Sequence, residues 1–376
     1  MAPTGIMHKS VVVHGQKGII SDWNNEHEIT GDVDMVKNSF LNNVIENRTD
    51  FPAGPVAGQI IFRTDYPNGF IWNGASWRSL TPAQLIVVAS DGSGDYLTIQ
   101  EGLNGLPATG GIVHVKTGTY IISAPISFPN DSITLEGDGV GSVITTTTAD
   151  ISLIEVDSTL RIRIKDLYLY GDGLAKNNAG IEWLSSHAGS IENVLVENCG
   201  GVGIYMEASD GNLVKDCWIR DNWNWGICFL ECDNNMVVNN FIFDIYEDDF
   251  GIGIEINDSH KNIINNNSVE RAEQDGVFFA GATYNNLEGN MIMNNSHGNV
   301  GVSSGVLLAG TSTHNTILGN KSFDDKGVHT QKYGIREFAV ADNYNIVTNN
   351  VCTGNITAEV STQGANTINA NNMVVP

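Results

Sequence analysis

Eight segments of this chain share one pattern: an Asn, then an apolar pair or triplet, then a polar residue five positions after the first. They are NVLVEN (Asn193–Asn198), NLVKDC (Asn212–Cys217), NMVVNN (Asn235–Asn240), NIINNN (Asn262–Asn267), NNLEGN (Asn285–Asn290), NTILGN (Asn315–Asn320), NIVTNN (Asn345–Asn350) and NTINAN (Asn366–Asn371). Their first residues are separated by 19, 23, 27, 23, 30, 30 and 21 positions. A second marker runs in phase, a Gly before an aliphatic residue, at Gly180, Gly203, Gly226, Gly253, Gly276, Gly305 and Gly334. Short segments rich in Val and Ile and punctuated by Asn and Gly suit strands, not helices. A fixed repeat of this length means that each copy buries its apolar face only against its neighbours. The expected fold is therefore an all-β solenoid, with Asn at tight turns where it tolerates the left-handed region. The register predicts that Asn198, Asn240, Asn267, Asn290, Asn320, Asn350 and Asn371 stack along one turn, with Cys217 in the same file.

Composition narrows the function. The 376 residues carry a net charge of −24, which repels nucleic acid and anionic membranes. No apolar run is long enough to span a bilayer, so membrane insertion is not expected. The N-terminus lacks an apolar stretch followed by a small-residue cleavage site, so no secretory signal is expected. The five cysteines, Cys199, Cys217, Cys228, Cys232 and Cys352, form no CxxC pair and complete no zinc pattern with His. They read as small buried hydrophobes, and no metal site is assigned.

Upstream of the repeat, Asp91, Gly94, Asp95, Tyr96, Thr98, Ile99 and Gln100 resemble the opening of pectate-lyase-superfamily β-helices. Gly110, Gly111, Val113, Val115, Gly118 and Tyr120 are similar to the first rung of that family, and Leu135, Glu136, Gly137 and Gly139 to its second. The resemblance implies a right-handed parallel β-helix over residues 106–376, preceded at 81–105 by a linker and a short helix that caps the open end. The family includes lyases, hydrolases, epimerases and non-catalytic adhesins, so it implies no single activity. Residues 1–80 differ in character. Gly58, Gln59, Ile60, Ile71, Trp72, Asn73, Gly74 and Trp77 resemble a short β-module of viral tail fibres and spikes, and Asn73-Gly74 signals a hairpin. That resemblance implies a virion tailspike or receptor-binding protein, a homotrimer joined to other tail or baseplate proteins through residues 1–80. Its target would be host-surface polysaccharide outside the cell. The alternatives are a secreted cellular polysaccharide lyase or glycoside hydrolase, and a non-catalytic structural adhesin.

The longer steps locate the candidate site. Insertions at 244–253, 294–305 and 323–334 all fall between the second Asn of a repeat and the next marker Gly, so they leave one edge and wall a lateral groove. That edge carries Tyr246, Asp248, Asp249, Arg271, Glu273 and Asp275, then Lys326, His329 and Arg336, with Glu255 on the outward side of the adjoining strand. Hydrolysis needs two carboxyls, one protonated and one ionised, and Asp248 or Asp249 with Glu273 or Asp275 are the candidates. Elimination needs a base and cations to neutralise a uronate, which Arg271, Lys326, His329 and Arg336 could supply, with Ca²⁺ held by carboxylates. Tyr246 and Glu255 are expected to contact sugar. Hydrolysis requires no cofactor.

Overall fold

The structure, a computed structural model, describes residues 46–56, 59–63, 68–72, 74–79, 84–171, 173, 178–246, 251–298 and 300–375. From Leu85 onward, short strands coil into three parallel sheets of twelve, eleven and ten strands, here called faces 1, 2 and 3. One turn of the coil shows the plan. Leu213–Lys215 lies on face 1, Trp218–Asn222 on face 2 and Trp225–Leu230 on face 3. Each strand pairs in parallel with its equivalent one repeat later, as Val214 does with Val237, Ile219 with Ile242 and Ile227 with Ile254. These inward residues are fully buried, so the core is a set of stacked aliphatic columns along the solenoid.

Both sequence markers have a physical cause. Asn240, Asn267, Asn290, Asn320 and Asn350 form an amide ladder, each Nδ2 donating to the next Oδ1 at 3.0–3.1 Å and ending on Asn372. The same Oδ1 accepts the backbone N–H one turn before, and Cys217 N–H joins the file by donating to Asn240 Oδ1 at 2.9 Å. A parallel ladder runs through Asn235, Asn262, Asn285, Asn315 and Asn345 at the other end of the face 1 strands. Each buried amide thus meets the backbone groups of a sharp corner that would otherwise lack partners. The left-handed residue is the one before the ladder Asn: Asn239, Asn266, Gly289, Gly319 and Asn349 all have φ of 56–67°. The recurrent Asn-Asn and Gly-Asn doublets therefore combine two jobs, a turn and a ladder.

Two members of the expected file are corrected. Asn371 has φ of 55° and is the turn residue, while its neighbour Asn372 completes the ladder; Thr367 replaces Asn in the second ladder. Asn198 belongs to a different corner, because Leu195 pairs with Trp218 and the true face 1 strand of that turn is Ser190–Glu192. The NVLVEN copy was aligned one face too far along the chain, where the same polar–apolar alternation recurs. At the marker glycines, a Cβ on Gly253 would lie 2.3 Å from Val269 Cγ1 and 2.5 Å from the Gly276 carbonyl oxygen, so no side chain fits.

Helix α1 (Ile99–Asn104) covers the N-terminal end, burying Ile99 and Leu103, with Thr98 as its N-cap. Leu85–Val88 already pairs with Gly111–Val115, so the first solenoid strand precedes this helix, inside the stretch read as linker. Residues 46–79 contribute a separate antiparallel sheet whose core is Ile61, Phe70 and Trp77, with Phe51 stacked on Trp77. Asn68–Trp72 and Trp77–Ser79 form the expected hairpin around Gly74; Asn73 lies outside the described residues. All five cysteines are buried and unbridged, as their spacing indicated.

Candidate functional site

The corner between faces 2 and 3 is turned by one left-handed residue per coil: Asn198, Asp221, Asp244, Arg271 and Asn294, all with φ of 54–58°. Asn and Asp adopt this conformation more readily than other side chains. In the chain, all three insertions fall between a face 2 strand and the following face 3 strand, at this corner. Beside them lies an open cleft of about 510 Å³ lined by Tyr170, Glu197, Asn198, Asp221, Trp223, Tyr246 and Glu273. Three aromatic rings and three carboxylates therefore share one concave surface.

The carboxylates differ in environment. Glu197 Oε2 accepts from Tyr168 OH at 2.8 Å and from Arg220 Nη2 at 2.9 Å. Asp221 Oδ1 accepts from Tyr246 OH at 3.3 Å, and partial burial with the nearby Asp244 charge pushes its pKa up. Glu273 faces His297, whose Nδ1 lies 3.7 Å from Oε2. No Lys or Arg is among the lining residues. The surface can stack on apolar sugar faces and accept from hydroxyls, and it repels an anionic ligand.

Of the residues expected from sequence, Tyr246 and Glu273 lie in this cleft. Asp248 and Asp249 lie outside the described residues. Arg271 is held by a bidentate pair with Asp244, at 2.7 and 2.8 Å, and by Glu270, which leaves its guanidinium committed. Lys326 Nζ donates to the Asn294 carbonyl at 3.1 Å, and burial lowers its pKa. His329 Nδ1 contacts the Asp324 carbonyl oxygen at 3.0 Å. Asp324 organises that loop, accepting from the backbone of Lys326, Thr330 and Gln331. Arg336 lies over the rings of Tyr333 and Phe338.

Asp275 and Glu255 stand apart from the cleft on face 3, only 5% and 6% exposed. Asp275 accepts from Ser304 N–H at 2.6 Å, and burial raises its pKa to about 7. Burial also raises that of Glu255, which accepts from Asn257 Nδ2 at 3.2 Å. The outward file around Glu255 runs as the alternation predicted, through Glu182, Tyr205, Cys228, Phe278, Leu307 and Arg336. Sequence reading missed Tyr170, Glu197 and Asp221. Only Asp221 had a sequence signal, since it occupies the same left-handed corner position as Asp244, at the edge that carries the insertions. Among the described residues, no cluster of three His, Cys, Asp or Glu is placed to hold a metal ion, and no helix is long and apolar enough to cross a membrane.

The family profile described as "Right handed beta helix region" matches residues 152–322. With the three-sheet topology, that match decides the fold. This chain is a right-handed parallel β-helix. The enzymatically active domain of bacteriophage CBA120 tailspike protein 2 shares the β-helix at a TM-score of 0.55 and 12% identity, covering 83% of this chain and 60% of that one. PfbA, a surface adhesin of Streptococcus pneumoniae, shares it at a TM-score of 0.50 and 13% identity, covering 73% and 86%. The probable pectinesterase/pectinesterase inhibitor 17 of Arabidopsis thaliana is 26% identical over 168 residues, which is 44% of this chain and 30% of that protein. The chain spans less than a third of the length of the curated relatives it matches.

Proposed function

We propose that this β-helix is a viral tailspike or receptor-binding protein whose corner cleft binds a host-surface polysaccharide and hydrolyses it. The observation that carries this reading is the meeting of Tyr170, Trp223 and Tyr246 with Glu197, Asp221 and Glu273 in one cleft. Rings supply stacking area for pyranose faces, and carboxylates supply both hydroxyl recognition and acid–base chemistry. Asp221, with its raised pKa, is the proton donor to the leaving oxygen; Glu273 activates water. Their backbones are two coils apart, roughly 10 Å along the solenoid at the usual strand spacing. Elimination is disfavoured because the cations it would use, Arg271 and Lys326, are bonded elsewhere. The reaction draws on carboxyls and water, and Ca²⁺ belongs only to the elimination route. The tailspike setting, with a homotrimer attached to other tail proteins through residues 1–80, is supported by the tail-fibre-like pattern of Gly58–Trp77.

Trp223→Ala tests the reading. Loss of one stacked ring is expected to weaken polysaccharide binding roughly tenfold, about 1.4 kcal/mol, with thermal stability nearly unchanged. Equal affinities of Trp223→Ala and wild type in an equilibrium titration would remove the cleft from consideration. The similarity to pectinesterases favours a second reading, a secreted carbohydrate enzyme acting on an ester. Release of methanol from methyl-esterified pectin, without shortening of the polymer, selects that reading instead.

A further inference from the structure

The corner between faces 3 and 1 is also turned by one left-handed residue per coil. Ala188, Gly211, Asn234, Lys261, Tyr284, His314 and Tyr344 hold that place, with φ of 57–66°. Gly and Asn suit it, and a bulky side chain does not. The last three coils nevertheless carry rings there. Tyr284 stacks on His314 with centroids 4.8 Å apart, and His314 on Tyr344 at 5.2 Å, with interplanar angles of 23° and 10°. All three are exposed, Tyr284 at 59% and Tyr344 at 52%. Stacking by itself does not require the strained corner, because Trp218 and Phe241 stack from extended strand positions on face 2. Three consecutive strained rings on the surface mark a place kept for a use other than the turn.

We propose that this aromatic ridge is a second glycan-binding site, which holds pyranose units of a neutral polysaccharide and does no chemistry on them. Tyr284 and Tyr344 end the stack, so each keeps one ring face that His314 does not cover. Such a face takes the apolar side of a pyranose. Hydrogen-bonding groups alternate with the rings along the corner. Thr283 and Thr313 precede Tyr284 and His314, their hydroxyls 2.8 Å from His260 Nδ1 and 3.1 Å from His314 Nδ1. Among the described residues, neither phenol hydroxyl has a protein partner, which leaves both for sugar hydroxyls. The stack has no carboxyl pair, which hydrolysis would need, so its role is retention. A chain of net charge −24 repels an anionic polymer, which selects a neutral one.

Face 3 lies between this corner and the one that holds the cleft, so sugar on the ridge leaves the cleft free. A polymer engaged at both places is held by two contacts, and release from one is followed by recapture. That consequence rests on the cleft's reading as a polysaccharide site; the ridge itself does not.

Tyr284→Asn and Tyr344→Asn test the ridge, because Asn accepts the left-handed turn and removes the ring. Wild type and both variants are titrated with neutral hexasaccharides of glucose, galactose and mannose, and melted in parallel. For the sugar that wild type binds, affinity at one of two sites per chain is expected to fall about tenfold in each variant. Melting temperatures are expected to stay level, relief of the strained turn offsetting the lost stacking. Unchanged affinity in both variants overturns the proposal, as does a wild type that binds none of the three sugars. A melting temperature that falls in both variants also overturns it, because the stack is then a structural staple. Trp223→Ala in the same titration separates the sites. Binding lost in the tyrosine variants and insensitive to Trp223→Ala defeats the cleft and leaves the ridge standing. Binding lost only in Trp223→Ala defeats the ridge alone. If Tyr284→Asn fails to fold, Tyr344→Asn decides.

Discussion

Glu273→Gln is expected to slow polysaccharide cleavage by about 100-fold or more while the polymer is still bound. The amide keeps the shape of the side chain and its ability to accept from a hydroxyl, but it cannot take a proton from water. Asp221→Asn should produce a loss of similar size with a different signature. In the wild type, the raised pKa of Asp221 keeps the donor protonated further toward neutral pH than an exposed carboxyl would be. Activity should therefore fall as pH rises through that pKa, and Asp221→Asn should abolish this alkaline limb along with most of the rate. Reducing ends released from polymer, measured across pH for the three proteins, provide the check. Retained cleavage in Glu273→Gln would remove Glu273 from the chemistry.

Asn267→Ala is expected to lower stability by about 3 kcal/mol. Its Oδ1 accepts both the backbone N–H and the Nδ2 of Asn240, and its Nδ2 donates to Val237 O and Asn290 Oδ1. All of these partners are buried, so truncation leaves several without a replacement. Asn266→Gly, one residue away, is the control. That position has φ of 57°, which glycine adopts without strain, so its cost should be within a few tenths of a kcal/mol. Urea unfolding midpoints for the two variants separate ladder from turn. Equal and small costs would mean that the amide ladder contributes little.

How much could be read in advance depended on the length scale of the signal. The solenoid and its ladders were legible because one physical requirement, pairing buried corner amides, repeats at every coil and leaves Asn240 through Asn350 in register. The misplacement of Asn198 shows the limit: a six-residue pattern does not distinguish two faces that both alternate polar and apolar residues. The shift from Asn371 to Asn372 has the same origin, since Asn-Asn doublets hold a turn residue and a ladder residue side by side. The edge bearing the insertions was legible from loop lengths, and Tyr246 and Glu273 were found that way. Tyr170 and Glu197 were not, because they come from ordinary face 2 strands with no insertion and enter the cleft only through lateral stacking. Arg271 and Lys326 looked like ligand-binding cations from sequence. The structure pairs Arg271 with Asp244 and seats Lys326 on the Asn294 carbonyl, contacts that separations of 27 and 32 residues do not reveal.

Equilibrium titration of the intact chain with isolated cell-surface polysaccharides, neutral and acidic polymers side by side, is the most direct test of the cleft. A surface with three carboxylates and no lining cation is expected to take up a neutral polymer and to favour it over an acidic one by about tenfold or more. Uptake of no polysaccharide, or a preference for the acidic polymer, would contradict the assignment of this cleft.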